Sequence, residues 1–209
     1  MKAAWIIIFL IALLWSGLYP KDYPTWVLEV LPAVIGFIVL AATYRSFPLT
    51  PLLYVLILFH CIVLMVGGHY TYAEVPLFDS LPSLLGSERN NFDKLGHFLQ
   101  GFVPAMITRE ILIRKAIVAS AKWRNFFIVC FCLAFSALYE LIEWSVAIIS
   151  GTAAEAFLGT QGYIWDTQSD MAFALVGAIA ALALLGRIHD RQLRYIISQK
   201  RAPVSPTGV

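Results

Sequence analysis

Apolar residues run along this chain in six long blocks broken by short polar stretches, and that pattern predicts six membrane-crossing helices. The blocks fall at about 3–19, 25–44, 51–67, 92–113, 125–150 and 167–187. Each approaches the ~20 residues a helix needs to cross a hydrocarbon core. Between the early blocks, Pro20-Lys-Asp-Tyr-Pro24 and Arg45-Ser-Phe-Pro48 have the chemistry of tight turns. The longest connection runs from Gly68 to Asn91 and carries His69, Tyr70, Tyr72, Glu74, Asp79 and Glu88, with Pro76 and Pro82. Pro32 and Pro104 lie inside their blocks, and Pro32 is expected to kink its helix. The first block follows Lys2 and lacks a clear small-x-small cleavage site, so it reads as an uncleaved first helix.

Composition narrows the class. The chain is 60% hydrophobic and 13% charged, with mean hydropathy +0.77, whereas soluble domains are nearer half apolar and about a quarter charged. The predicted fold is therefore an all-α membrane protein, a six-helix transmembrane bundle filling residues 1–190 as one polytopic domain. Residues 191–209, basic and then Pro/Ser-rich, read as a disordered tail. Cys61, Cys130 and Cys132 sit in apolar blocks without metal-site spacing and read as core residues. No basic pattern of a nucleic-acid binder is present.

The placement of basic residues orients the bundle. With a cytoplasmic amino terminus, Lys2, Arg45, Arg109, Arg114, Lys115, Lys122, Arg124, Arg187, Arg191, Arg194, Lys200 and Arg201 all fall inside, and only Lys21, Arg89 and Lys94 outside. This asymmetry of 12 against 3 follows the positive-inside rule. It predicts both termini in the cytoplasm.

Orientation gives depths to the polar residues. Asp93, His97 and Gln100 recur on one face at the outer end of the fourth block. If Asp93 marks the surface, His97 lies about 6 Å and Gln100 about 10 Å below it. The fifth block carries Ser136, Glu140 and Glu143 on one face, with Glu143 about 10 Å and Glu140 about 15 Å below its outer end. Asp166 and Asp170 open the sixth block and share a face with Ala174 and Gly177, small residues that suit close helix contact. Several acids thus converge on the outer half with Lys94 as the plausible nearby cation. An intramembrane acid costs about 2.5–3.5 kcal/mol on insertion scales, so the group needs a cation, shared protons or water.

Glu140 and Glu143 resist a purely structural explanation, since neither caps a helix. Asp93, Asp166 and Asp170 also suit helix N-termini, and His97 also suits an interhelical hydrogen bond. His60 and Glu29 read as structural. The candidate catalytic residues are His97, Glu140, Glu143, Asp166 and Asp170. Of these, His97, Glu140, Glu143 and Asp170 offer the nitrogen and oxygen ligands of a divalent metal ion. His69, Asp93, Gln100 and Gln161 are the supporting residues.

Four ordered motifs carry a family likeness: Gly67-Gly-His69-Tyr-Thr-Tyr72, Asp93-Lys-Leu-Gly-His97-Phe-Leu-Gln-Gly101, Tyr139-Glu-Leu-Ile-Glu143-Trp144, and Gly159-Thr-Gln161-Gly162 with Trp165-Asp166-Thr-Gln-Ser-Asp170-Met171. Together they resemble the YjdF-like bacterial inner-membrane proteins over essentially the whole chain. The Asp93-Lys-x-x-His97-Phe98 opening and the late acidic motif are also similar, over a shorter stretch, to VanZ-like membrane proteins. The main resemblance implies a multi-pass inner-membrane protein and supplies no reaction.

Three functions fit these residues. One is a metal-assisted hydrolase or transferase acting on a lipid or lipid-linked substrate, although no His-Glu-x-x-His motif is present. The second is a proton-coupled transporter, against which stand the missing inverted repeat and the absence of a matching polar path in the cytoplasmic half. The third is a non-catalytic protein that binds a lipid or partner. The sequence leaves substrate and oligomeric state open.

Overall fold

The structure, a computed structural model, describes residues 2–79, 89–150 and 160–201. Pro82, Glu88 and Gly159 of the connecting loops, and the tail from 202 to 209, lie outside the described residues. Every regular element among the described residues is helical: α1 Lys2–Gly17, α2 Tyr23–Thr43, α3 Pro51–Tyr70, a 3-10 turn Tyr72–Glu74, the one-turn α4 Pro76–Asp79, α5 Phe92–Arg114, α6 Ala121–Ser150 and α7 Asp166–Arg201.

Among the described residues, four spans are long and apolar enough to cross a membrane: Tyr23–Thr43, Pro51–Tyr70, Ala121–Ile149 and Asp166–Gln199. The stretch Ala3–Gly17 in α1 is apolar but shorter. The 23-residue α5 has the length, but acids and bases crowd its two ends (Asp93 and Lys94; Arg109, Glu110 and Arg114).

Local chemistry sets the helix ends. Asp22 caps α2 by accepting from the Thr25 N–H at 2.8 Å, and proline follows in the first turn, where a missing N–H costs nothing. Thr50 precedes α3 without a side-chain cap, because its hydroxyl instead donates to Glu110 on α5 at 2.8 Å. Two sequence boundaries move. α3 runs on through Gly68 and His69 to Tyr70, so these residues belong to a helix rather than to the loop. α7 continues to Arg201, so residues 191–201 are helical rather than disordered. There Leu193 is buried and the Gln192 side chain accepts from the Leu52 N–H at 2.9 Å, contacts that hold the extension against the start of α3.

The bundle is organised around α5, which packs against α3, α6, α7 and the 3-10 turn. Its contact with α7 is the most extensive and rests on small residues. A Cβ on Gly101 would collide with the Ala174 carbonyl, and one on Gly177 with the Phe98 carbonyl. Only glycine lets the two backbones approach so closely. On the other side, Trp5, Phe9 and Phe37 stack at centroid separations of 4.9–6.2 Å and fasten α1 to α2.

Candidate functional site

Close packing of α5 on α7 brings their amino-terminal ends together and buries charge there. Asp93, Lys94, His97 and Gln100 on α5, and Asp166 and Asp170 on α7, are all at least nine-tenths buried. The Lys94 ammonium donates to Asp166 and Asp170, each at 2.6 Å, and lies 3.4 Å from Asp93. Arg89 adds a second cation, 2.5 Å from Asp166 and 3.2 Å from Asp93. This corrects the expectation that Lys94 stands alone among the acids. Arg89 precedes the helix, but it lies four residues before Asp93, and its guanidinium also donates to the Thr160 carbonyl at 3.0 Å.

His97 is the centre of what remains. Its Nδ1 lies 3.0 Å from Gln100 Oε1. Its Nε2 faces three carboxylates, with Asp93 at 3.3 Å, Glu140 at 3.7 Å and Asp170 at 3.9 Å. Glu140 comes from α6 and is hydrogen-bonded by Thr167. Its buried Oε1 has no hydrogen-bond partner among the described residues. Asp93, His97 and Asp170 each offer a ligand atom, and these atoms lie within 4.8 Å of one another. A tetrahedral ion with ~2.1 Å bonds spaces its ligands about 3.4 Å apart, which is close to the spacing around Nε2.

Next to this cluster lies a cavity of about 90 Å³, lined by Glu29, His60, Tyr72, Asp93, His97, Gln100, Tyr139 and Glu143 with apolar neighbours. At about 30 Å³ per water, it holds a few waters or one small functional group. Glu143 therefore faces the same space as His97 but makes no direct contact with it. Glu29 is also drawn in, hydrogen-bonded by Tyr72 and Tyr139, the latter at 3.5 Å. Tyr72 belongs to the loop. Burial, then the Glu29 carboxylate, pushes its phenol well above the usual range and keeps it a proton donor. Gly67 and Gly96 make the seat for its ring, since a Cβ on either would strike it.

Glu29, His60, Tyr72 and Tyr139 are the site residues that the sequence reading missed or assigned to structure. The available signal was depth: Glu29 lies at the outer end of its helix, level with the other acids.

Two supporting residues lie elsewhere. His69 Nδ1 is 3.0 Å from the Ser16 carbonyl and its ring packs 4.6 Å from Trp15, so it joins α3 to α1 away from the cavity. Gln161 accepts from the Asn90 N–H at 3.0 Å and donates to the Asn90 carbonyl at 2.9 Å. It therefore pins the loop that carries Arg89 rather than reaching the cluster.

The opposite end of α5 and α7 holds a second buried polar group. Glu110 accepts from Thr50 N–H and hydroxyl, Arg114 and His189, at 2.6–3.2 Å. His189 also meets Arg109 at 2.9 Å, and Arg109 pairs with Asp190 at 2.6 Å. The sequence predicts no polar path here matching that of the other end; this end holds a compact buried polar group of its own. Buried Val103, Ala105 and Met106 separate the two groups, and Gln100 to Glu110 spans about 15 Å of helix.

A helical bundle with several membrane-length helices and charge buried at the helix ends belongs to the integral membrane proteins. The chain matches the predicted membrane protein family DUF2238 over residues 1–191 and belongs to that family. It is similar to inner membrane protein YjdF of Escherichia coli (strain K12), with 53% identity over 182 residues covering 87% of each chain. The likeness carried by the four sequence motifs is thus the right family, and the chain is an inner-membrane protein of it. No solved structure matches.

Proposed function

We propose that the chain crosses the inner membrane six times with both termini cytoplasmic, and that the outer end of the bundle is an intramembrane enzyme site acting on a lipid or lipid-linked substrate with a divalent metal ion. Charge accounting supports this reading best. Among the described residues, Asp93, Asp166 and Asp170 pair with Lys94 and Arg89, and Glu140 meets His97 alone of the basic side chains, so with a neutral His97 the four acids exceed the cations by two charges. One divalent cation cancels them without an apolar region having to hold two uncompensated carboxylates.

Asp93, His97 and Asp170 are the proposed ligands. Lys94 and Arg89 hold Asp166 and keep Asp170 oriented, while Gln100 fixes the His97 ring, as outer partners of metal ligands do. A bound metal would polarise a phosphoryl or carbonyl group or activate water. Glu140, with a buried oxygen that has no hydrogen-bond partner, is the nearest proton acceptor, and Glu143 and Glu29 line the approach. The buried apolar residues Val103, Ala105 and Met106 between the two polar groups argue against a proton-coupled transport path.

Metal analysis and titration calorimetry on the purified, stripped and reloaded protein test the site. One divalent ion per chain is expected in the wild type, with affinity reduced at least ~10-fold in His97→Ala and Asp170→Asn. Substoichiometric metal that neither substitution changes would refute it. A second reading, lipid or partner binding without catalysis, draws support from the Lys94 clamp, which already pairs Asp166 and Asp170 at 2.6 Å. It predicts that the same two substitutions leave membrane lipid composition unchanged and only lower thermal stability.

A further inference from the structure

The polar cavity is too small for a whole lipid, so a lipid substrate must keep its hydrocarbon outside. An apolar groove of about 800 Å³ begins where the cavity ends. Pro32, Phe135 and Tyr139 line both spaces, so the two share a wall. The groove runs down between α2 and α6, with Ile107 and Ile111 of α5 on its floor. From Leu28 to Thr43 along α2 it covers about 22 Å, roughly two-thirds of a ~30 Å hydrocarbon core. Its flanks, among them Val39, Leu138 and Ile142, are about half exposed, so the groove opens sideways into the bilayer. Its far end reaches Ser46 and Lys115 on the opposite side of the bundle.

We infer that this groove seats the hydrocarbon chain of one membrane lipid whose polar end enters the cavity at Glu29, His97 and Glu143. The inference rests on the proposed function and adds an entry route: a lipid slides in laterally between α2 and α6, head towards the outer half and chain towards the midplane. Two features commit the groove to a chain with a head rather than to bulk lipid. The acidic cavity lies at one end only, and Tyr139 stands at the junction, with its ring on the groove wall and its hydroxyl turned to Glu29. Gly36 marks the middle of the groove, and a Cβ there would meet nothing within 4 Å. A side chain at 36 therefore leaves the backbone into open space on the groove.

The full-length protein in phosphatidylethanolamine/phosphatidylglycerol nanodiscs is to be photolabelled with a diazirine-acyl phosphatidylethanolamine or a diazirine polyprenyl phosphate, and labelled peptides mapped by mass spectrometry. Labelling by either probe should concentrate on residues 35–43 and 135–142, several-fold above that at Ile7 and Ile11, which are equally exposed on α1. The stronger probe identifies the chain chemistry. Gly36→Phe, with Val39→Trp as a second blocker, should cut groove labelling at least ~5-fold and leave metal stoichiometry unchanged. Labelling that simply follows exposure, or that neither blocker reduces, overturns the groove. Because metal content is read on the same samples, a groove without metal removes only the metal reading, and metal without focused labelling removes only the groove.

Discussion

Replacing Lys94 with methionine tests whether the outer cluster is an electrostatic clamp. The ammonium meets Asp166 and Asp170 at 2.6 Å, and at an effective dielectric of ~20 each contact is worth about 6 kcal/mol before desolvation. Most of that gross energy offsets the cost of burying the charges. Removing one partner does not return that cost, because the carboxylates stay buried, Asp166 with Arg89 beside it and Asp170 with His97 at 3.9 Å. Breaking such a pair typically costs about 3–5 kcal/mol. At about 2–4 °C per kcal/mol for a chain of this size, Lys94→Met should lower Tm by roughly 6–20 °C in detergent. Lys21→Met is the control. Lys21 pairs with Glu74 with both side chains half exposed, and such a pair is worth about 0–1 kcal/mol. Intrinsic-fluorescence melts of both variants against wild type give the comparison. A Lys94→Met melt no lower than that of Lys21→Met would refute the clamp, and with it the charge accounting behind the metal proposal.

Other substitutions separate packing from charge. Gly101→Val drives a side chain into the Ala174 backbone and should cost about 3 kcal/mol or more, while Gly36→Ala, in open space, should raise stability by about 0.5–1 kcal/mol; paired melts check both. His189→Ala leaves Glu110 short of a donor at a fully buried position and should cost about 3 kcal/mol without changing metal affinity, since the outer cluster is remote; melts and calorimetry of one preparation decide. Glu140→Gln removes a buried charge with an unpartnered oxygen, so it should leave Tm unchanged or raised while weakening metal binding about 10–100-fold; a lowered Tm with intact affinity would assign Glu140 to structure.

Much of this was legible because membrane solvation is a strict rule. Apolar block length marked the helices, and the 1.5 Å rise puts His97 and Gln100 at about the level of Glu143, with Glu140 deeper and Asp166 and Asp170 at the mouth. The small-residue face of Ala174 and Gly177 anticipated the α5–α7 contact. Three kinds of residue escaped. Arg89 and Tyr72 lie in connections, where neither periodicity nor depth applies, and chain reversal alone brings them to the site. Glu29 and His60 sit singly on otherwise apolar helices, and a lone polar residue does not reveal which neighbour it faces. His189 lay just past Arg187, where the sixth block was taken to end, although the helix continues and buries it against Glu110. His69 misled for the opposite reason. Its motif suggested chemistry, while its ring packs on Trp15.

The two polar groups of α5 and α7 act as internal references for one another. They use the same pair of helices, similar residue types and similar burial. At the inner end, Glu110 is met by donors from Thr50, Arg114 and His189. That is how a buried polar group looks when its task is to hold helices together. At the outer end the same chain leaves one Glu140 oxygen without a partner and spaces three carboxylates around His97 at 3.3–3.9 Å. The network around Glu110 also has one buried atom, Arg114 Nη2, without a partner among the described residues, but both Glu110 oxygens have donors, whereas the cluster around His97 leaves gaps at its carboxylates. Keeping them open costs stability, and a small cavity with an apolar groove beyond it lies beside them. The contrast within one helix pair is what supports the proposed binding chemistry at the amino-terminal ends of α5 and α7, with Glu110 and its donors fastening the helices at the other end.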